Sequence, residues 1–205
     1  MVGALRHPIR PGWPTEVIGA PAGCRPAGTG LCNTRRVRRD AQLAALVSIH
    51  ELLDAHGIEY WLFGGWAVDF HAKKVSRPHD DIDLAVWLKD HDRIAALLTT
   101  NGWSHAPEEG EDGYTGYERD DVRLELAFIA RDTTGGIYTP LREGRGTWPE
   151  GSFGDDVTEL RGVRARVIGL RALKADKSEL HDDPRVAAKD RSDLATLAAS
   201  ASTPS

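Results

Sequence analysis

Three aspartates stand within four positions of the stretch HDDIDLAVW, residues 79–87. Side chains on a strand alternate between its faces, so Asp81 and Asp83 are expected to point the same way, with Ile82 and Leu84 turned into the core. Two neighbouring carboxylates repel each other unless a cation lies between them. Oxygen ligands suit Mg²⁺, which recruits substrate phosphates to complete its shell. The stretch therefore predicts a magnesium site, although a pair of acids alone is more often a solvated strand end.

A third acid is expected to come from the stretch VRLELAF, residues 122–128. Its apolar residues fall on alternate positions, which leaves Arg123 and Glu125 on the opposite face. If this strand pairs beside the first, Glu125 lies near Asp81 and Asp83. Three carboxylates can hold two metal ions about 3.5–4 Å apart, the arrangement that stabilises the attacking and leaving oxygens of an in-line displacement.

A glycine pair, Gly64 and Gly65, follows the apolar run IEYWLF of residues 58–63. Glycine lets a backbone approach a ligand closely, and the amides at a helix N-terminus attract phosphate. The pair alone fits a tight turn equally well. Its position upstream of the acids favours a phosphate-binding turn.

Two basic residues are further candidates for the phosphates. Arg77 precedes the acids in the same loop, and a guanidinium suits bidentate phosphate contact. Lys174, on a C-terminal helix, could reach a phosphate as a point charge. Either could instead be a surface residue, and Lys177 is an alternative to Lys174.

Other polar residues around this region are expected to act structurally. His79 and Asp80 are predicted to hydrogen-bond their own loop, and Asp69 to pair with Arg77 or orient that loop. Lys189 and Asp193 stand at the i,i+4 spacing of a helical ion pair and are expected to help dock the last helix.

The elements that must position these residues follow from hydrophobic periodicity and turn signals. The expected order is a helix from Asp40 to Gly57, strand 58–63, a short helix over 66–72, strand 82–87, a helix from Asp90 to Asn101, a hairpin over 113–130 turning at Asp120–Asp121, a loop-rich segment 131–156, a hairpin over 157–168, and two helices between 170 and about 199. Trp61, Trp66, Trp87 and Trp103 are expected in the core, and Trp148, Tyr138 and Phe153 at an acceptor pocket.

The order of these elements predicts an α+β fold with a mixed sheet. The chain is expected to divide into a tail (1–39), a catalytic domain (40–168) and C-terminal helices (169–205).

The composition is that of a globular protein of 205 residues with a net charge of −5. Residues 1–40 carry a basic surplus of five and many Pro and Gly, so a disordered basic tail is expected there. The acidic remainder argues against a nucleic-acid partner. No apolar run is long enough for a membrane helix, and the two cysteines, Cys24 and Cys32, fit no zinc or disulfide pattern. A cytoplasmic protein is the expectation.

The combination FGGWAVDF followed by RPHDDIDLAV resembles the nucleotidyltransferase superfamily that includes DNA polymerase beta. Within it, the forms GGW and RPHDDIDL, with AAKDRSDLATL near the end, are most similar to aminoglycoside 2''-adenylyltransferases and lincosamide nucleotidyltransferases. The likeness spans roughly residues 40–198. Two departures are Glu125, where Asp is common in the superfamily, and Trp66, where many members have Ser.

The resemblance implies a polymerase beta-like core that transfers a nucleoside monophosphate to a hydroxyl of a small molecule. AMP, taken from ATP, is the first expectation for the transferred group. Gly64 and Gly65 would approach the triphosphate, Asp81 and Asp83 would hold two Mg²⁺ ions, and Glu125 would bind a metal or act as general base. An aminoglycoside is the first expectation for the acceptor and a lincosamide the second. The alternatives are a non-catalytic, nucleotide-binding or antitoxin-like member of the fold, and transfer to a protein. The oligomeric state is left open.

Overall fold

The computed structural model describes residues 30–108, 110–179 and 181–201. Its helices are α1 (Gly30–Ala55), α2 (Gly64–Ala72), α3 (His91–Thr100), α4 (Leu170–Lys177) and α5 (Pro184–Ala201), and a short 3-10 helix spans Leu88–Asp90. Its strands are β1 (Tyr60–Phe63), β2 (Asp81–Trp87), β3 (Ser104–His105), β4 (Tyr114–Arg119), β5 (Val122–Arg131), β6 (Ile137–Pro140), β7 (Arg145–Thr147), β8 (Val157–Leu160) and β9 (Val163–Arg166).

The main sheet is mixed, as the sequence predicted. Its strands follow the order β1-β2-β5-β4-β3, and β6 and β7 extend it from the far end of β5. Only β2 and β5 run parallel among the described strand pairs; the other pairs are antiparallel. Parallel neighbours place their N-terminal ends at the same edge, so the acidic beginnings of β2 and β5 lie side by side.

Both faces of β2 are covered. Residues 82–86 are all buried, and α2 packs against β2. Trp61, Trp66 and Trp103 are buried in the core as expected, whereas Trp87 is only partly buried at the end of β2. The aspartate face of β2 is therefore largely covered at Asp83, whereas Asp81 at the start of the strand is half-buried.

The two predicted hairpins are confirmed, and the first turns at Asp120–Asp121 as predicted. Asp120 and Asp121 have φ of 50° and 61° between β4 and β5, and Arg161 and Gly162 have φ of 53° and 80° between β8 and β9. Positive φ at both central residues is the type I′ geometry that suits the twist of paired strands.

The segment 131–156 differs from the expected loop because it contains β6 and β7. β6 pairs with the last residues of β5, Ala130 opposite Tyr138 and Arg131 opposite Ile137. These strands have three or four residues each, too short to give a clear alternating pattern in the sequence.

The first described helix also begins earlier than predicted. α1 starts at Gly30, so residues 30–39 are helical although the sequence predicted an unstructured tail up to residue 39. Arginine has a good helix propensity, and a helix already formed over 40–55 propagates at little cost. Residues 1–29 lie outside the described part of the chain. None of the described helices has both the length and the apolar character needed to cross a membrane.

Candidate active site

Three carboxylates meet where β2 and β5 begin. The register of the parallel pair places Asp83 opposite Glu125 and Asp81 opposite Arg123. One oxygen from each of Asp81, Asp83 and Glu125 lies within 4.8 Å of the others. Asp83 is only 2% exposed and Glu125 only 7%, whereas Asp81 is half-buried. The structure thus brings together the three acids that the sequence singled out.

The donor set fits a hard divalent cation. All three ligands offer carboxylate oxygen, which is the chemistry that Mg²⁺ requires, and a half-buried Asp81 leaves one side open to a substrate. Three carboxylates held this close repel one another, and a bound cation relieves that repulsion.

The glycine pair gives the carboxylates their room. β1 runs directly into α2 at Gly64, whose φ is +65°, and Phe63 of β1 pairs with Asp83. A Cβ on Gly64 would overlap the Asp83 carboxylate. A Cβ on Gly65 would meet His79 and lie 2.8 Å from Nη2 of Arg77. Both glycines are therefore required by side chains that pack on them.

The loop of residues 73–80, between α2 and β2, is organised by a buried acid of α2. Asp69 accepts hydrogen bonds from the amide of Ser76 at 2.9 Å, from its hydroxyl at 2.5 Å and from Nε2 of His79 at 2.6 Å. Gln42 of α1 donates to the His79 carbonyl at 3.3 Å, and the Trp66 and His79 rings lie 4.6 Å apart. As predicted, Asp69 orients the loop and His79 serves it.

The model of the aminoglycoside-2''-adenylyltransferase family matches residues 45–197. The chain belongs to this family. The match contains both strands of the carboxylate triad, the glycine pair and the C-terminal helices, so the candidate site lies wholly inside the region that defines the family.

Curated relatives carry the corresponding name. A 2''-aminoglycoside nucleotidyltransferase from Klebsiella pneumoniae is 46% identical over 110 residues, which cover 52% of this chain and 59% of the relative. A protein of the same name from Escherichia coli is 46% identical over 39 residues, 18% of this chain and 22% of the relative. The matches thus cover well under two thirds of these relatives.

Solved structures show the same fold. The lincosamide antibiotic adenylyltransferase LnuA with bound lincomycin has a TM-score of 0.60 at 21% identity, covering 75% of this chain and 94% of that one. ANT(2'')-Ia in complex with adenylyl-2''-tobramycin has a TM-score of 0.59 at 23% identity, covering 78% and 91%. The predicted nucleotidyltransferase fold is confirmed.

In this member of the family, Arg77 is held by an acid of the last helix. Its Nε and Nη2 donate to the two carboxylate oxygens of Asp193 at 2.8 and 2.9 Å, and Nη1 donates to the Pro78 carbonyl at 3.1 Å. Burial lowers the pKa of Arg77, but the hydrogen bond to Asp193 and the negative charges of Asp193, Asp69 and Asp80 together outweigh it, so the pKa is raised. A contact between Arg77 and a phosphate stays a prediction, since most of its N–H groups already have acceptors.

The other C-terminal charges pair differently from the prediction. The expected Lys189–Asp193 pair is wrong, because Lys189 donates instead to Asp80 at 2.7 Å and Asp193 accepts from Arg77. Lys177 donates to Asp190 at 2.9 Å, which ties α4 to α5. Lys174 is half-buried and forms no ion pair with another described residue, and its contact with a phosphate stays a prediction.

Arg123 is a neighbour of the triad to which the sequence assigned no role. Its guanidinium lies 3.3 Å from Glu125, 2.9 Å from Glu108 and 3.2 Å from Glu118. Burial lowers the pKa of Arg123, but these carboxylates outweigh that effect and raise it, while burial raises the pKa of Glu108. A Cβ at Gly116 would collide with Arg123. The alternation of side chains along the predicted strand, which identified Glu125, also placed Arg123 on the same face.

The aromatic residues proposed for the acceptor pocket divide. Trp148 packs against Phe63 and Phe153 at ring distances of 5.7 and 5.1 Å and donates to Thr139. Tyr138 stacks under the Arg145 guanidinium at 4.7 Å. Trp148 thus packs on Phe63, the last residue of β1 and the ladder partner of Asp83, and its place beside an acceptor stays a prediction.

A cleft of about 530 Å³ lies at the opposite end of the sheet. It is lined by Glu59, Trp87, Leu88, Lys89, Ile129, Ala130 and Arg131. The lining comes from the ends of β2 and β5, the 3-10 helix and the residue before β1, whereas the triad lies where β2 and β5 begin, so the cleft is not part of the candidate active site.

Proposed function

We propose that this chain is a magnesium-dependent nucleotidyltransferase that transfers AMP from ATP to a hydroxyl group of an aminoglycoside and releases pyrophosphate. The carboxylate triad of Asp81, Asp83 and Glu125, with its ligand oxygens within 4.8 Å of one another, carries the proposal. Membership of the family supports the reaction class, and the names of the curated relatives support the acceptor.

In the proposed reaction, the acceptor oxygen forms a bond to the α-phosphorus of the nucleotide while the bond from that phosphorus to pyrophosphate breaks. Two Mg²⁺ ions would supply charge neutralisation at the phosphates when bound. Asp81 and Asp83 would hold the cations. Glu125 would either complete their shell or accept the proton of the acceptor hydroxyl.

The remaining residues bind and orient the nucleotide. Gly64 and Gly65 begin α2 and are the proposed approach for the triphosphate, because glycine permits a close approach of the backbone and helix N-terminal amides attract phosphate. Lys174 adds a positive charge from α4. Positioning of this kind supplies much of the rate of phosphoryl-type transfers.

A lincosamide is the second candidate acceptor. The fold likeness to lincomycin-bound LnuA supports this alternative, at an identity that establishes the fold alone. A non-catalytic, nucleotide-binding role is disfavoured because all three acids are present and close together. Transfer to a protein hydroxyl, the remaining alternative, would give label on protein rather than on a drug.

The cellular location and the class of partner are proposed from the amino-acid composition. The cysteine-poor body fits the reducing cytoplasm, and its net acidity fits a cationic small-molecule acceptor better than a nucleic acid.

The test is a transfer assay with ATP labelled at the α-phosphate, Mg²⁺ and a panel of aminoglycosides and lincosamides. We expect label on an aminoglycoside, and a loss of at least about 10²-fold in kcat for Asp83→Asn, because that variant removes a charge from the cation site. Mg²⁺ should also raise the melting temperature of the unaltered chain but not of Asp83→Asn. Nucleotide binding without turnover on any acceptor would contradict the proposal.

A further inference from the structure

Asp81 is the least supported of the three acids. Asp83 has a strand on each side, because it pairs with Phe63 of β1 and Glu125 of β5. The β1–β2 ladder ends at this pair, so Asp81 has only β5 beside it. Repulsion from the other two carboxylates therefore acts on Asp81, whose backbone is hydrogen-bonded to a strand on one side only. The loop that precedes Asp81 must hold this residue in place on its other side.

The loop of residues 73–80 leads directly into Asp81 and is fixed by three helices. Asp69 of α2 binds Ser76 and His79, and Gln42 of α1 binds the His79 backbone. The third anchor is Asp193 of α5, whose two carboxylate oxygens accept hydrogen bonds from Nε and Nη2 of Arg77. Gly65 lies directly beneath Arg77 and His79, so the loop is pressed onto the first turn of α2.

Among the described residues, two ion pairs link the loop to α5: Arg77–Asp193 is the buried one, whereas Lys189–Asp80 is exposed. The Asp193 side chain is 1% exposed and that of Arg77 is 20% exposed, and Lys177 lies 3.8 Å from Asp193 on its other side. Burying such a pair costs desolvation that its own attraction barely offsets, so apolar residues of similar size would hold the helix equally well. Stability alone does not account for charges here, whereas a directed, bidentate grip on the loop does.

We propose that Arg77 and Asp193 are positioning residues for the metal site: α5, through Asp193, fixes the loop so that Asp81 stays beside Asp83 and Glu125. The turnover part of this proposal rests on the proposed nucleotidyl transfer. Its metal-binding part does not, because it concerns only the place of Asp81.

The test uses the full chain with the pair replaced by apolar residues, Arg77→Met with Asp193→Leu. This double variant keeps the net charge and is expected to fold, since no buried charge loses its only partner; Lys177 keeps Asp190. We expect Mn²⁺ binding, followed by electron paramagnetic resonance without nucleotide, to weaken about ten- to hundredfold, and kcat to fall by a similar factor. Arg77→Lys keeps the charge but not the paired N–H donors of the guanidinium, so its Mn²⁺ affinity and kcat should lie between those of the unaltered chain and the double variant.

A control removes a remote arginine–aspartate pair by the same substitutions, Arg93→Met with Asp90→Leu, which form a single contact of 2.9 Å at the start of α3. That variant should bind Mn²⁺ as the unaltered chain does. A folded Arg77–Asp193 double variant with unchanged Mn²⁺ affinity and kcat would overturn the proposal. So would a raised KM for ATP with unchanged Mn²⁺ affinity, because that result assigns Arg77 to the phosphates. Absence of turnover in every form, with the Mn²⁺ difference intact, would refute the proposed function and leave the positioning role standing.

Discussion

At the scale of single residues, Gly64 shows how a backbone conformation serves the site. Two demands meet there: φ is +65°, which costs other residues about 1–2 kcal/mol, and the space where a Cβ would stand is taken by the Asp83 carboxylate. Gly57, with φ of +63°, has the same backbone demand but open space around it. The two positions therefore allow the two effects to be measured separately.

We predict that Gly64→Ala and Gly57→Ala will differ in kind. Gly57→Ala should lose about 1–2 kcal/mol of unfolding free energy and keep full transfer activity. Gly64→Ala should lose more, because Asp83 must also move, and should no longer gain stability from Mg²⁺. Urea denaturation with and without Mg²⁺ measures both quantities. An Mg²⁺ response in Gly64→Ala equal to that of Gly57→Ala would contradict this explanation of the glycine.

The sequence predicted the three acids because their positions follow from local rules. Alternation along two strands placed Asp81, Asp83 and Glu125 on matching faces, and only the parallel register of β2 and β5 had to be assumed. Local rules could not identify the partner of Arg77, since Asp193 is 116 residues away in the sequence. Helix periodicity paired Asp193 with Lys189 instead. Ion pairs between distant elements depend on how helices dock, which no local pattern records.

At the scale of elements, α2 is fastened to the chain after β9 by a histidine. Nε2 of His71 donates to the Ile168 carbonyl at 2.8 Å, and the Ile168 amide in turn donates to Leu62 of β1. Burial lowers the pKa of His71, and the nearby Lys73 and Lys174 lower it further, against the opposing effect of the Ile168 bond. The histidine that makes this helix contact therefore resists protonation.

This gives a pH dependence of defined sign. The native pKa of His71 lies below the ordinary value of about 6.5, so its contribution to stability is present above that pH and is lost as the pH falls towards the native value. His71→Gln keeps an N–H donor for Ile168 but does not titrate. We expect the unfolding free energy of the unaltered chain to fall more between pH 7 and pH 5 than that of the variant, measured by urea denaturation. Parallel curves for the two proteins would rule this out.

At the scale of the whole molecule, the C-terminal helices are part of the core rather than an appendage. α5 packs against α2, contributes the fully buried Leu197 and Asp193, and contacts the loop of residues 73–80 through Arg77. The proposed boundary between a catalytic domain (40–168) and C-terminal helices (169–205) separates segments of sequence that share one hydrophobic core. We therefore expect both to unfold together.

The last prediction tests this cooperativity with Leu197→Ala. Removing a leucine that is 1% exposed should lower the unfolding free energy by about 2–5 kcal/mol, because a cavity remains between α5 and the core. The half-buried Leu194 on the same helix is the matched control, and Leu194→Ala should cost less. If the molecule is one cooperative unit, far-ultraviolet circular dichroism and tryptophan fluorescence will report one transition at the same lowered midpoint. A fluorescence midpoint unchanged from the unaltered chain, with helix signal lost early, would instead mean that α5 detaches while the sheet stays folded, and the carboxylate triad would then survive without its C-terminal anchor.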